Sequence, residues 1–263
     1  SRAADYRMEH PSPSKTSATT TKQLHRGTSV DYLVQGVTYE GYVSLPADRQ
    51  TDTAPGVLIA HQWMGLGDYE KSRADEMAAQ GYVAFALDVY GKGVRCLNHN
   101  VSCAQQTMKK AMANIPRLLD LVAAGSRQLL KAGAVKNRLV ALGYCFGGSI
   151  VLELARHPGA GASAGVRYAA VSSVHGILAP MGKPAAVGEI TGRVQAHHAE
   201  LDFQGDGALS SLEAELKSGV NGTDGLWETL KYAKCEHGWT EPDSGAYRAR
   251  AAVQAHKSTF EFF

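Results

Sequence analysis

The stretch "ALGYCFGGSI", residues 141–150, constrains the fold of this chain more than any other. It sets an apolar run, "NRLVALGY", directly against an apolar-periodic one, "GGSIVLELARH". A short continuous apolar run reads as a strand buried on both faces, and the periodic run as a helix. Joining them within one turn leaves Cys145 at the apex, with Gly143 two residues before and Gly147 two after. The turn needs glycines there because the flanking chain comes too close for side chains. It also sets a sulfur at a helix N-terminus, where N–H groups and the helix dipole favour thiolate over thiol. A buried cysteine that only packs is the plainer alternative. The strand, the helix and the glycine offsets together favour a nucleophile, with the Phe146 N–H as an oxyanion donor.

The same alternation runs along the chain. "VDYLVQGVTYEGYVSLP" alternates apolar and polar residues up to Pro46 and reads as an edge hairpin. Strands are expected at Val57–Ala60, in "YVAFALDVYG", "NRLVALGY", "RYAAVSSVHG", "GRVQAHHAELD" and "LWETLKYA". Helices are expected over "DYEKSRADEMAAQ", closed by Gly81, and over residues 104–132, interrupted by Pro116 and Gly125. Further helices are expected after Cys145, around 208–217 and at the C-terminus. This pattern specifies an α/β fold, a mostly parallel sheet with helices on both faces, as a single domain over residues 28–263. Sites in such sheets form at the carboxyl ends of the strands.

A thiol at the apex needs a base and a group to orient that base. In this layout the order is nucleophile, acid, histidine, each after a strand. Asp202 follows "RVQAHHAEL", with Asp206 as the alternative, and His237 follows "LWETLKYA". His197 and His198 beside Asp202 suggest a metal, but adjacent residues on a strand point to opposite faces. No metal and no other cofactor is expected.

The bulk numbers bound the partners. The 263 residues carry a formal charge of +2, without a basic stripe interleaved with aromatics, so nucleic acid is not expected. No apolar run approaches the roughly 18 residues of a membrane span, so no membrane partner is expected. Residues 1–27, rich in Ser, Thr and Pro, read as a weakly ordered tail. They hold no apolar segment of the signal-peptide kind, which leaves open a leader already removed. Cys96 and Cys103, seven apart, are spaced to close a disulfide loop around the glycosylation sequon at Asn100; a second sequon begins at Asn221. Secreted and cytoplasmic locations both stay open. Cys235 is expected to be buried and inert, against an alternative in which it pairs with Cys145 as a redox switch.

The motifs "GVLIAHQWMGLGDYEKSRADEMAAQGYVAFALDVYGKG", "GYCFGG" and "HGW" together resemble the dienelactone hydrolase family of the α/β-hydrolase fold. The resemblance runs from about Tyr39 to the C-terminus. It implies a Cys-Asp-His triad on Cys145, Asp202 and His237, and a second oxyanion N–H at Trp63. The chain departs from the family at Gln62, where the family carries Glu; losing that charge should ease formation of a thiolate. The family binds a substrate carboxylate with arginines, and Lys92 and Arg95 stand in the corresponding loop. His61, Gln62, Met64, Tyr90, Lys92, His175 and Trp239 are candidate substrate-binding residues because they stand at or just past strand ends. The expected activity is hydrolysis of a small ester, lactone or thioester without cofactor, by a monomer or small homo-oligomer. A ligand-binding descendant of the fold is the alternative.

Overall fold

The computed structural model describes residues 26–47, 53–97, 100–159, 165–220 and 226–263. Its strands are β1 (Thr28–Val34), β2 (Val37–Ser44), β3 (Gly56–Ala60), β4 (Val83–Leu87), β5 (Leu139–Tyr144), β6 (Tyr168–Val174), β7 (Arg193–Ala199) and β8 (Trp227–Tyr232). Its helices are α1 (Asp68–Ala79), α2 (Val101–Met112), α3 (Ile115–Lys131), α4 (Phe146–Arg156), α5 (Gly205–Gly219) and α6 (Ala249–Phe262). The strands form one sheet in the order β1-β2-β4-β3-β5-β6-β7-β8. The β1–β2 and β2–β4 pairs are antiparallel and the remaining pairs parallel. This is the expected α/β-hydrolase architecture.

Every residue of β3, β4 and β5 is buried, as a strand covered on both faces requires. Their side chains alternate between two cores. Leu58, Ala60, Leu139 and Ala141 pack with residues of α3, α4 and α5. Val57, Ile59, Val140 and Leu142 pack on the other face with Ala74 and Met77 of α1 and Ala255 and Phe262 of α6. The carboxyl edge between these layers carries the site.

The helical pattern expected over 104–132 is two helices. Pro116 stands in the first turn of α3, where a missing N–H costs nothing, and Asn114 caps that turn by accepting from Arg117 N at 3.0 Å. Gly125 does not interrupt α3. A Cβ there would stand 2.8 Å from Leu58 and Leu87, so the glycine lets the helix press against the sheet.

Two devices shape the loops at the carboxyl edge. Buried Asp88, just past β4, accepts from the N–H groups of Tyr90, Gly91 and Glu40 and draws the 88–95 turn onto β2. A disulfide joins Cys96 to Cys103, and Cys96 N donates to Met64 O at 2.8 Å, tying this loop to the one after β3. Asn100 is exposed inside that disulfide loop and caps α2 through Cys103 N. The Asn221 sequon and residues 1–25 of the expected tail lie outside the described residues. Arg26 and Gly27, expected in the tail, are instead held by Asp75 and the Tyr42 hydroxyl. Among the described residues no helix is long and apolar enough to cross a membrane.

The tightest packing lies where β5 turns into α4. A Cβ on Gly147 would stand 2.0 Å from Ala60 O, and both are backbone positions that have no side chain to move aside. We expect Gly147→Ala to lower unfolding stability by about 3 kcal/mol in urea titration. Gly207→Ala, which meets nothing within 4 Å inside α5, should leave stability within about 1 kcal/mol of wild type or above it.

Candidate active site

The turn between β5 and α4 holds Cys145 at φ 51° and ψ −116°, in the left-handed region that a residue with a Cβ rarely adopts. The glycines around it make this possible. A Cβ on Gly143 would meet Gly147 O at 2.0 Å, and one on Gly148 would meet Gly176 Cα at 2.7 Å. Cys145 N donates to Val174 O at 3.0 Å and to His175 Nδ1 at 3.1 Å, anchoring the apex to the end of β6. Cys145 is partly exposed.

His237, in the loop after β8, reaches that thiol with Nε2 at 3.1 Å from Sγ. Its Nδ1 lies 2.9 Å from Asp202 Oδ2. Asp202 is fixed in turn, accepting at Oδ1 from Gln204 N and Gln204 Nε2, each at 3.1 Å. Asp206, the alternative acid, is on the surface and paired with Lys231 at 2.7 Å. The residues that the sequence pairs as nucleophile, base and acid are thus in line.

The electrostatics follow from the contacts. Burial alone would depress the His237 imidazolium, but its hydrogen bonds to Asp202 and Cys145 and the charge near them lift it to about 10. Asp202 is held below the usual carboxylate range: burial pushes it up, and the bonds from His237 and Gln204 outweigh that. The ring of His175 packs 5.3 Å from that of His237; burial first, then His237's charge, drive His175 well below its ordinary value and keep it neutral.

Phe146 N, in the first turn of α4, and Trp63 N, after β3, have no acceptor among the described residues. Tyr90 links the segments that carry them. Its hydroxyl donates to Trp63 O at 2.9 Å, and its ring stacks on Phe146 at 5.9 Å. The half-buried Gln62 folds back on its own loop, its Oε1 accepting from Met64 N at 2.7 Å while its backbone N–H donates to the buried carboxylate of Glu70 at 3.2 Å. Burial pushes Glu70 up. Glu241, just past the histidine loop, is pushed up to about 8 by burial first and then by Glu70's charge.

Several candidate substrate-binding residues are elsewhere. His61, His175 and Trp239 are fully buried, with no surface left for a substrate, so the expectation that they touch one is corrected. His61 packs edge-on against Tyr90, and Trp239 against His175 and Tyr232. Lys92 is ion-paired with Asp31 on β1, and Arg95 faces Asp88 at 3.6 Å. His197 bonds Tyr232 and Gln195 inside the core, and no three His, Cys, Asp or Glu side chains among the described residues are grouped to hold a metal. Cys235 is a free thiol, 2% exposed, pushed up by burial. Phe203, unnoticed in the sequence, is 73% exposed with its ring 5.0 Å from that of His237. With exposed Leu201 it makes an apolar rim on either side of Asp202 in the chain. Its only sequence signal was adjacency to Asp202.

Comparison with known proteins places this geometry in context. The sequence model of the dienelactone hydrolase family matches residues 39–263. A Bradyrhizobium sp protein named "Probable 2-oxo-3-(5-oxofuran-2-ylidene)propanoate lactonase" is 26% identical over 231 residues, spanning 88% of this chain and 90% of its own length. Among solved structures, a dienelactone hydrolase-like promiscuous phosphotriesterase from metagenomic libraries superposes with a TM-score of 0.77 at 23% identity, over 90% of this chain and 96% of its own. Apo esterase 2 of Thermogutta terrifontis gives 0.64 at 17%, over 90% and 93%. At these identities the two structures speak to the fold alone.

The raised His237 value has a consequence for stability. A base whose folded value lies above its unfolded 6.5 contributes stability in full below pH 6.5, and that contribution is lost as pH rises toward about 10. We expect the melting temperature of wild type to fall more steeply from pH 6.5 to about 10 than that of His237→Gln, read by circular dichroism.

Proposed function

The chain belongs to the dienelactone hydrolase family and is a carboxylic ester hydrolase of that type; on that premise we propose that Cys145 is its nucleophile and carries the acyl group covalently. The observation that carries this reading is the continuous line from Sγ through the His237 imidazole to the Asp202 carboxylate, with contacts of 3.1 and 2.9 Å. Its hydrogen bonds to Asp202 and Cys145 outweigh burial and keep His237 protonated at neutral pH, so on this reading it is the imidazolium that accompanies the attacking sulfur.

The steps follow. The thiolate adds to the carbonyl carbon of an ester, lactone or thioester, and the oxyanion sits against the N–H groups of Phe146 and Trp63. Collapse breaks the acyl C–O or C–S bond, and His237 Nε2–H gives its proton to the leaving alkoxide or thiolate. In a lactone the released hydroxyl stays on the acyl chain. Water then attacks the thioester of Cys145, its proton passing to His237, and the acid leaves as the thiolate returns. Asp202 holds the imidazole in the tautomer and orientation both steps need. No cofactor takes part in this sequence. The Cys145 acyl-enzyme is itself a thioester, so a thioester substrate enters by a nearly balanced exchange.

A cavity of about 670 Å³ lies between the 89–94 loop, α2 and α3; Cys145, Asp202 and His237 do not line it, and Tyr90 is what joins it to the site. Lys110 and Arg117 line it, the Arg117 guanidinium bonded to Gln35 and the Tyr39 hydroxyl. The name of the Bradyrhizobium relative, a lactonase for a propanoate, supports a lactone that carries a carboxylate.

Hydrolysis of p-nitrophenyl acetate tests the proposal. Wild type should turn over, and Cys145→Ala should lose at least about 1,000-fold in kcat/KM. Equal rates in the two proteins would overturn the nucleophile, and no turnover of aryl acetates or lactones by wild type would favour the ligand-binding alternative.

A further inference from the structure

The histidine loop and the cysteine turn come from distant parts of the chain, and something must fix their separation to a fraction of an ångström. Cys145 N donates to His175 Nδ1 at 3.1 Å, so Nδ1 is an acceptor and the proton of this neutral ring is on Nε2. Nε2–H therefore donates to the Thr240 hydroxyl, 2.8 Å away. A second path reaches the same oxygen from α1. Arg73 Nη1 donates to His256 Nδ1 at 2.8 Å, which puts that ring's proton on Nε2, facing the Tyr69 hydroxyl at 3.4 Å. The Tyr69 hydroxyl donates to Thr240 Oγ1 at 2.8 Å. An arginine at one end and a backbone N–H at the other fix both histidine tautomers, and both paths end on one acceptor.

That acceptor stands three residues after His237, and its side chain is 1% exposed. We propose that Thr240 is a positioning residue: its hydroxyl, through His175, sets the distance between the His237 imidazole and the Cys145 sulfur. This rests on the reading of Cys145, Asp202 and His237 as the reacting groups. Thr240 does not touch the sulfur. It acts by accepting from two donors that belong to the ends of β6 and α1, so that the loop 237–240 cannot drift from the turn at Cys145. The geometry assigns His175 the same duty, in place of the substrate contact expected for it. Both strained residues in this path, Cys145 at φ 51° and His175 at φ 42°, need such bonds to stay where they are.

The test compares Thr240→Val, which keeps the shape and removes the acceptor, with Thr240→Ser, which keeps the acceptor. Two readouts are taken on the whole protein: kcat and KM for p-nitrophenyl acetate, and the rate of Cys145 alkylation by iodoacetamide against pH. Thr240→Val should lose about 100-fold in kcat with KM close to wild type. The acid limb of its alkylation profile should move up by about one pH unit, because the imidazolium no longer sits against the sulfur. Thr240→Ser should restore both. His175→Asn keeps an acceptor for Cys145 N but loses the link to Thr240, and should behave like Thr240→Val; it serves if the valine variant does not fold. A folded Thr240→Val with wild-type kcat and alkylation profile would overturn the proposal, as would a serine variant as impaired as the valine one. A wild type whose alkylation profile has no acid-shifted limb instead contradicts the cysteine–histidine pair on which the proposal rests.

Discussion

A residue with a Cβ, held at φ 51° and ψ −116°, costs about 1–3 kcal/mol and persists only where its surroundings over-determine it. Cys145 has such surroundings. The backbones of β3, β5 and α4 approach so closely that Gly143 and Gly147 have no room for a side chain, and the amide of Cys145 is bonded to the end of β6. Close backbone contacts with β3 and α4 and the bond to the end of β6 hold the turn in this conformation. The strain therefore does something definite: it lifts the sulfur out of the sheet, leaves the first N–H groups of α4 free, and points the thiol at the one loop that carries His237. The rest of the site is built outward from that fixed point.

The second layer is electrostatic. A carboxylate, an imidazole and a thiol in one line would repel or neutralise one another unless each charge had a partner. Asp202 is bonded on both oxygens, His237 on both nitrogens, and the neighbouring imidazole, His175, is kept neutral by burial. A positive charge can thus reside on His237 without a competing cation beside it. Buried Glu70 bonds the backbone N–H of Gln62, and burial first and then the charge of Glu70 raise Glu241. Gln62 itself carries no charge, and the buried carboxylate bonded to its backbone N–H, Glu70, is also occupied by Gly67 N.

The path from sequence to this site was legible where local pattern decides the outcome. The apolar run before Cys145, the glycine offsets and the helix after it follow from local pattern, while the pairing of Cys145 with Asp202 and His237 rested on the layout expected around such a turn and on the family resemblance. Pattern failed where side-chain direction or a distant partner decides. His61, His175 and Trp239 sit at strand ends like true cleft residues, yet their side chains turn inward, and only the packing of neighbouring strands sets that. Lys92 is drawn to Asp31, a residue 61 positions away, which no local reading reveals. Gly125 looked like a helix breaker because the sequence does not show that Leu58 and Leu87 press against it. Thr240 carried no signal at all, since its importance lies in two histidine tautomers fixed from opposite ends of the fold.

The central claim is that the acyl group passes through Cys145. Acid quench during the first turnover of an aryl ester, followed by peptide mapping by mass spectrometry, tests it most directly. The account predicts one acyl group on the peptide that carries Cys145, absent without substrate and absent after prior alkylation of that thiol. Turnover with no acyl group on Cys145 at any quench time, or with the acyl group on another residue, would contradict it.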